Sequence, residues 1–213
     1  MATILIVGAS RVIGLETVKA AIVAGHDVRA FSRSAADMPG NYARLHKIAG
    51  DARSRTDIKK ALHGADVVVE TLGVSSLHDV AFGTTLFSTA TRELVAAMKT
   101  TGVKRLIAVT GAGAGNSRGH ITPLYDYLLY PAFLQRLYRD KDIAEDIIMR
   151  SGLEWTIVRR VLLTNRPANG LYKALPDMKD WHGGITSRGN VADFLLNQIE
   201  DRSMIGETPL LVG

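Results

Sequence analysis

An apolar run at residues 4–7 ends in Gly8, and a stretch of helical period begins at Val12 with Gly14 inside it. A strand that turns at once into a helix has few architectures open to it, because each apolar face must find cover. The cadence then repeats. Short apolar runs at residues 28–31, 45–48, 67–69, 106–109 and 155–158 have the length of buried parallel strands. Stretches of helical period lie between them at 55–62, about 85–99 and about 133–150. This alternation predicts an α/β fold, a single doubly wound parallel sheet with helices on both faces, filling residues 1–213. Beyond the sixth strand, residues 164–184 carry Pro167, Gly170, Pro176 and Gly183-Gly184 and read as a structured loop region. Helical period returns at 191–199 with Ser187 or Asn190 as its N-cap, and 209–212 reads as a final edge strand.

In an open sheet of this kind ligands lie beyond the carboxyl ends of the strands. The first such end is Gly8-Ala9-Ser10-Arg11-Val12-Ile13-Gly14. Gly8 permits a sharp exit from the strand, Gly14 lets helix and sheet approach closely, and the helix N-terminus offers free N–H groups to a pyrophosphate. The spacing fits a dinucleotide turn in either of two ways: G-x-x-x-G-x-G with Val12 in the place of the middle glycine, or G-x-x-G-x-x-G with Arg11 there. The second strand ends in Ser32-Arg33-Ser34, with no carboxylate to pair with a ribose 2′-hydroxyl. A guanidinium and two hydroxyls suit a 2′-phosphate instead, and Arg11 stands within reach of the same group, so the expected cofactor is NADP(H). Asp51, after Gly50, has the position to accept from an adenine amino group, and it also suits a plain turn beside a glycine. Leu72-Gly73-Val74 puts a small residue after the fourth strand, where backbone passes close to a ribose.

Composition narrows the partners. The chain has no cysteine, which removes disulfides, thiolate metal sites and cysteine nucleophiles, and its six histidines show no metal-ligand spacing. The formal charge of +5 favours anionic ligands, yet the basic residues come as short pairs such as Lys104-Arg105 and Arg159-Arg160, without interleaved aromatics. A small-molecule substrate is expected, with no nucleic acid, no membrane and no metal, in a soluble cytoplasmic monomer or homodimer.

Together with Ala96-Ala97-Met98, Gly102-Val103 and the run from Ser151-Gly152-Leu153-Glu154-Trp155 through Arg159, these strand ends resemble the atypical short-chain dehydrogenase/reductases. Within them the chain is most similar to the NmrA-like and biliverdin reductase B (flavin reductase)-like branch, and the likeness extends to Ile185-Thr186-Ser187-Arg188. The resemblance implies a Rossmann sheet of about seven strands and NADP(H) across the strand ends, with a substrate-side region at residues 111–135 and 160–190. By position it assigns the pyrophosphate to Gly8, Ser10, Arg11, Val12 and Ile13, the 2′-phosphate to Arg33, the adenine to Asp51 and Ala52, and the ribose to Leu72, Gly73 and Val74. Thr110, Gly111, Arg160 and Val161 would flank the nicotinamide. Flavin and biliverdin reductases of this branch carry a serine two residues after the fifth strand and a histidine after the sixth, where this chain has Gly111 and Leu162.

The Tyr-x-x-x-Lys pair of conventional short-chain dehydrogenases is absent. Tyr138 and Lys141 stand three apart on one helix face, and with Thr110 they are the candidate catalytic residues. Tyr125, Tyr127, Tyr130 and Phe133 form an aromatic segment suited to a planar substrate or to helix packing, and His120 lies in the same stretch. Two functions remain open. One is an NADPH-dependent reductase passing hydride to a small planar acceptor such as a quinone, flavin or related carbonyl compound. The other is a non-catalytic NADP(H)-sensing regulator of the NmrA-like type.

Overall fold

A computed structural model describes residues 1–74, 82–115 and 135–213. Six strands run parallel in the order β3-β2-β1-β4-β5-β6: β1 Thr3–Val7, β2 Asp27–Ser32, β3 Leu45–Ala49, β4 Val67–Glu70, β5 Arg105–Gly111 and β6 Glu154–Arg160. The order reverses at β1/β4, which opens the crevice where doubly wound sheets hold their ligands. Five α-helices flank the sheet among the described residues: α1 Val12–Val23, α2 Arg55–Leu62, α3 Leu86–Thr101, α4 Gln135–Met149 and α5 Arg188–Glu200. The expected helix and strand bounds agree with these to within about three residues.

Side chains alternate across the strands, and both faces are dry. Ile4, Ile6, Val67, Val69, Ile107 and Val158 face α1 and α5, while Leu5, Val7, Val68, Leu106, Ala108 and Ile157 face α2, α3 and α4. Strands covered on both faces are apolar along most of their length, and the polar residues they bury, Glu70, Arg105, Thr110, Thr156 and Arg159, are each hydrogen-bonded. At the opposite end of β5, the buried Arg105 donates to the Gln198 carbonyl near the end of α5 (Nη2, 2.8 Å) and to Thr156 Oγ1 (2.9 Å), tying helix to sheet.

The strand count differs from expectation. The main sheet has eight strands: β10 Leu210–Val212 joins β6 in parallel, and β8 Lys173–Leu175 joins β10 antiparallel. The last strand is therefore not an edge, because β8 covers it. A separate pair, β7 Leu162–Thr164 with β9 Ile185–Ser187, runs parallel beside the main sheet. These three-residue strands fall in or beside the region read as loops, being too short to show a period and held by partners distant in sequence. Ser187 caps α5, its Oγ accepting from Asn190 N at 2.9 Å. Among the described residues no helix is long and apolar enough to cross a membrane.

Candidate cofactor and acceptor site

The turn from β1 into α1 is built by backbone. Gly8 adopts φ +87°, and its N–H donates to the Phe31 carbonyl of β2 at 2.9 Å. At Gly14 an added Cβ would collide with the Gly8 carbonyl oxygen and lie 2.6 Å from Thr71 Oγ1, so helix and strand end meet only if this residue has no side chain. Val12 is the one described non-glycine residue in the left-handed region, at φ +49°, while Arg11 before it is extended at φ −146°. The glycine missing from the turn is thus the one whose place Val12 takes, and its side chain stays 45% exposed at the mouth of the turn. The first turn of α1 has neither a side-chain cap nor an acidic residue, which leaves its N–H groups open to an anion. Ile13 is buried in the core, so only its backbone faces that anion.

Ser34 Oγ donates to Ser10 Oγ at 3.1 Å, joining the ends of β1 and β2. Arg11 and Arg33 are exposed, and neither guanidinium makes a hydrogen bond or ion pair among the described residues. Ser32 Oγ, at the same strand end, is buried without a partner. A phosphorylated ribose fits this cradle: two guanidinium groups without a hydrogen bond among the described residues, clustered hydroxyls and no carboxylate at the end of β2, the carboxylate that acts on Arg33 being that of Asp51 at the β3 end. Asp51 sits at the next strand end, its carboxylate accepting from Arg53 Nη2 at 2.8 Å. That hydrogen bond holds the Asp51 carboxyl below its usual range. Ala52 is buried against the core. Gly73 is exposed with open space around it, and Leu72 and Val74 pack towards Phe87 and Ala144.

The acceptor side is built by side chains. Tyr138, Lys141 and Glu145 lie three and four apart along α4, which places them on one face, and all three are buried beneath the ends of β5 and β6. Thr110 Oγ1 donates to Glu145 Oε1 at 2.6 Å, and Arg159 Nη2 donates to Glu145 Oε2 at 2.6 Å. Arg159 and Glu145 are 1% and 0% exposed, so this ion pair is sealed from water. The Arg159 guanidinium also rests 5.4 Å from the centre of the Trp181 ring. The Tyr138 hydroxyl stands where Gly111 has no side chain: a Cβ at position 111 would lie 2.5 Å from Tyr138 Oη.

Lys141 Nζ lies 5.0 Å from the ring centres of both Phe87 and Tyr138, and no hydrogen bond ties it among the described residues. Burial, reinforced by the nearby positive charge of Arg160, pulls its ammonium down to about 7, while Glu145 opposes the shift. Arg160 turns its Nη1 to the Val161 carbonyl at 3.3 Å, and Val161 is buried with Ala112, Trp181 and Leu210.

Sequence reasoning missed Glu145, Arg159 as its partner, and Glu70. The spacing of Glu145 four residues after Lys141 was a signal for the first. The aromatic segment at Tyr125, Tyr127, Tyr130 and Phe133, with His120, lies outside the described residues.

Comparison with known proteins agrees with this geometry. The chain is 28% identical over 185 residues to a Bacillus subtilis (strain 168) protein described as the uncharacterized sugar epimerase YhfK, covering 84% of this chain and 78% of that protein. A Rossmann-fold NAD(P)-binding family protein from Shigella flexneri superposes with a TM-score of 0.75 at 27% identity, covering 99% of this chain and 93% of that one. ChuY, described as an anaerobillin reductase from Escherichia coli O157:H7, superposes with a TM-score of 0.78 at 20% identity, covering 99% and 96% of the two chains. Residues 8–202 match the NAD(P)H-binding family, and that span holds the glycine turn, the Ser32-Arg33-Ser34 strand end and the α4 face alike. The chain therefore belongs to the NAD(P)H-binding family, on an α/β Rossmann fold shared with short-chain dehydrogenase/reductase-like proteins.

Proposed function

We propose that the protein is an NADPH-dependent reductase of a small planar acceptor, such as a quinone, flavin or related carbonyl compound. The observation that carries the cofactor choice is Arg33 at the carboxylate-free end of β2, with Arg11 in the neighbouring turn, neither guanidinium hydrogen-bonded or ion-paired among the described residues. Gly8, Ser10, Val12 and Ile13 would hold the pyrophosphate against the open N-terminus of α1, and Arg33 the 2′-phosphate. Asp51 and Ala52, after β3, would meet the adenine, and Leu72, Gly73 and Val74, after β4, the ribose. Thr110, Gly111, Arg160 and Val161 lie at the strand ends where the nicotinamide would rest. When bound, the reduced nicotinamide supplies a hydride from its C4.

The chain's own part is to orient the acceptor and provide a proton. Gly111 leaves room above the strand end, and the Tyr138 phenol fills part of it with a hydroxyl facing the same space. Lys141 Nζ, at about 7, releases its proton readily near neutrality and takes it back, which is the property a proton donor to an acceptor oxygen requires. Thr110, locked to Glu145, holds the end of β5 and α4 in register.

One observation favours the alternative, an NADP(H) sensor without turnover. The Thr110 hydroxyl is committed to Glu145, and Gly111 has no side chain to offer a substrate. One experiment separates the two. NADPH oxidation is followed across quinones, flavins, tetrapyrroles and carbonyl compounds, on wild type and Lys141→Met. Turnover of one acceptor that falls at least about tenfold in the variant supports the reductase. Tight NADPH binding with no oxidation of any acceptor supports the sensor.

A further inference from the structure

Glu70 closes β4 on the face covered by α3 and α4, a position where its strand neighbours Val68, Leu106 and Ala108 are apolar. It is 5% exposed, and among the described residues its carboxyl accepts one hydrogen bond, from Thr91 Oγ1 of α3 at 2.9 Å. A carboxyl group in such a place costs stability unless it is neutral or has a partner. Beside it lies a cavity of about 20 Å³ between the sheet, α3 and α4, large enough for one water molecule. Its polar lining consists of Glu70, Thr91, Thr110 and Lys141, and the rest is apolar. Thr91 is engaged with Glu70 and Thr110 with Glu145, which leaves Lys141 as the basic group on the far wall.

We propose that Glu70 is a positioning residue that sets the charge of Lys141 across this shared cavity. A proton held on Glu70 leaves Lys141 only the carboxylate of Glu145, which is already paired with Arg159, and favours its free amine. A proton passed from the Glu70 carboxyl to the Lys141 amine, directly or through one water, creates a carboxylate and an ammonium with no change in net charge. Both groups line the one cavity, and burial pushes the Glu70 carboxyl up to about 7 and pulls the Lys141 ammonium down to about 7, so a proton moves between them at little cost near neutrality. Among the described residues the other charged groups around them are engaged. Glu145 and Arg160 act on Lys141 in opposite directions, Arg159 is paired with Glu145, and Asp140 accepts from the Phe87 and Ser88 N–H groups at the start of α3. The proposal deepens the reductase reading, on which its catalytic consequence rests, by naming what controls the proton donor.

The test is a titration of Lys141 and Glu70 by nuclear magnetic resonance, in the full chain carrying isotope-labelled lysine or glutamate and no cofactor. Wild type titrates near 7, and Glu70→Gln lowers the midpoint by at least about one pH unit because the carboxylate is gone, while Glu70→Asp keeps it within about half a unit. Reciprocally, Lys141→Met raises the Glu70 midpoint by about one unit or more, an arm that stands if Glu70→Gln fails to fold. An unchanged Lys141 midpoint in folded Glu70→Gln, or an unchanged Glu70 midpoint in Lys141→Met, overturns the proposal. The reductase reading fails separately, through absence of NADPH oxidation in wild type, and that result leaves these midpoints untouched.

Discussion

The two halves of the crevice are made from different materials. On the side of β1 and β2, the features that count are backbone: the left-handed Gly8, the bare Gly14, the uncapped start of α1. On the side of β5 and β6 they are side chains drawn from distant segments, with Glu145 of α4 receiving Thr110 and Arg159 and with Lys141 set against Phe87. Backbone sites depend on residues adjacent in sequence. Side-chain sites depend on the whole fold being in place first, and so they fail differently when broken.

The largest effect is expected at the buried ion pair. Glu145→Gln leaves the sealed Arg159 facing an uncharged amide, and the loss in unfolding free energy should be about 3–5 kcal/mol by denaturant titration. If the halves are as separate as their construction implies, the fraction still folded binds NADPH with wild-type affinity. Gly14→Ala is the counterpart on the backbone side. Its new methyl would meet a carbonyl that cannot move, costing about 3 kcal/mol and, unlike Glu145→Gln, also abolishing cofactor binding in calorimetry.

Legibility followed the same division. The glycine turn, the carboxylate-free end of β2 and the succession of strands and helices needed only neighbours in sequence and short apolar runs, and the fold class came with them. The two readings of the turn could not be separated without dihedral angles, and the left-handed Val12 decided between them. Glu70 and Arg159 looked like the polar ends of apolar strands, since nothing local says which of two faces a strand's last residue meets. Their partners Thr91 and Glu145 stand on helices that pack only once the sheet exists. The three-residue strands β7, β8 and β9 were missed because their pairing is non-local.

A smaller effect depends on pH. Glu70, raised from 4.5 to about 7, keeps its proton in the folded chain where the unfolded chain has released it. Its favourable contribution is therefore complete below about 4.5 and lost as pH rises through about 7. Glu70→Gln should gain stability relative to wild type across that window, by at most about 3 kcal/mol, in thermal or denaturant unfolding at a series of pH values. A difference that does not vary with pH would place Glu70 in the ordinary carboxylate range. The smallest effect belongs to Val12→Gly, which relieves a strained left-handed valine at the cost of a more flexible unfolded chain, for a net gain of about 1 kcal/mol.

The central claim is that the β2 end selects a phosphorylated dinucleotide through Arg33. It is tested most directly by titrating wild type and Arg33→Ala with NADPH and with NADH. The account predicts that wild type binds NADPH at least about tenfold tighter than NADH, and that the substitution removes about tenfold of the NADPH affinity while leaving NADH unchanged. Equal affinities for the two cofactors, unaltered by the substitution, would contradict it.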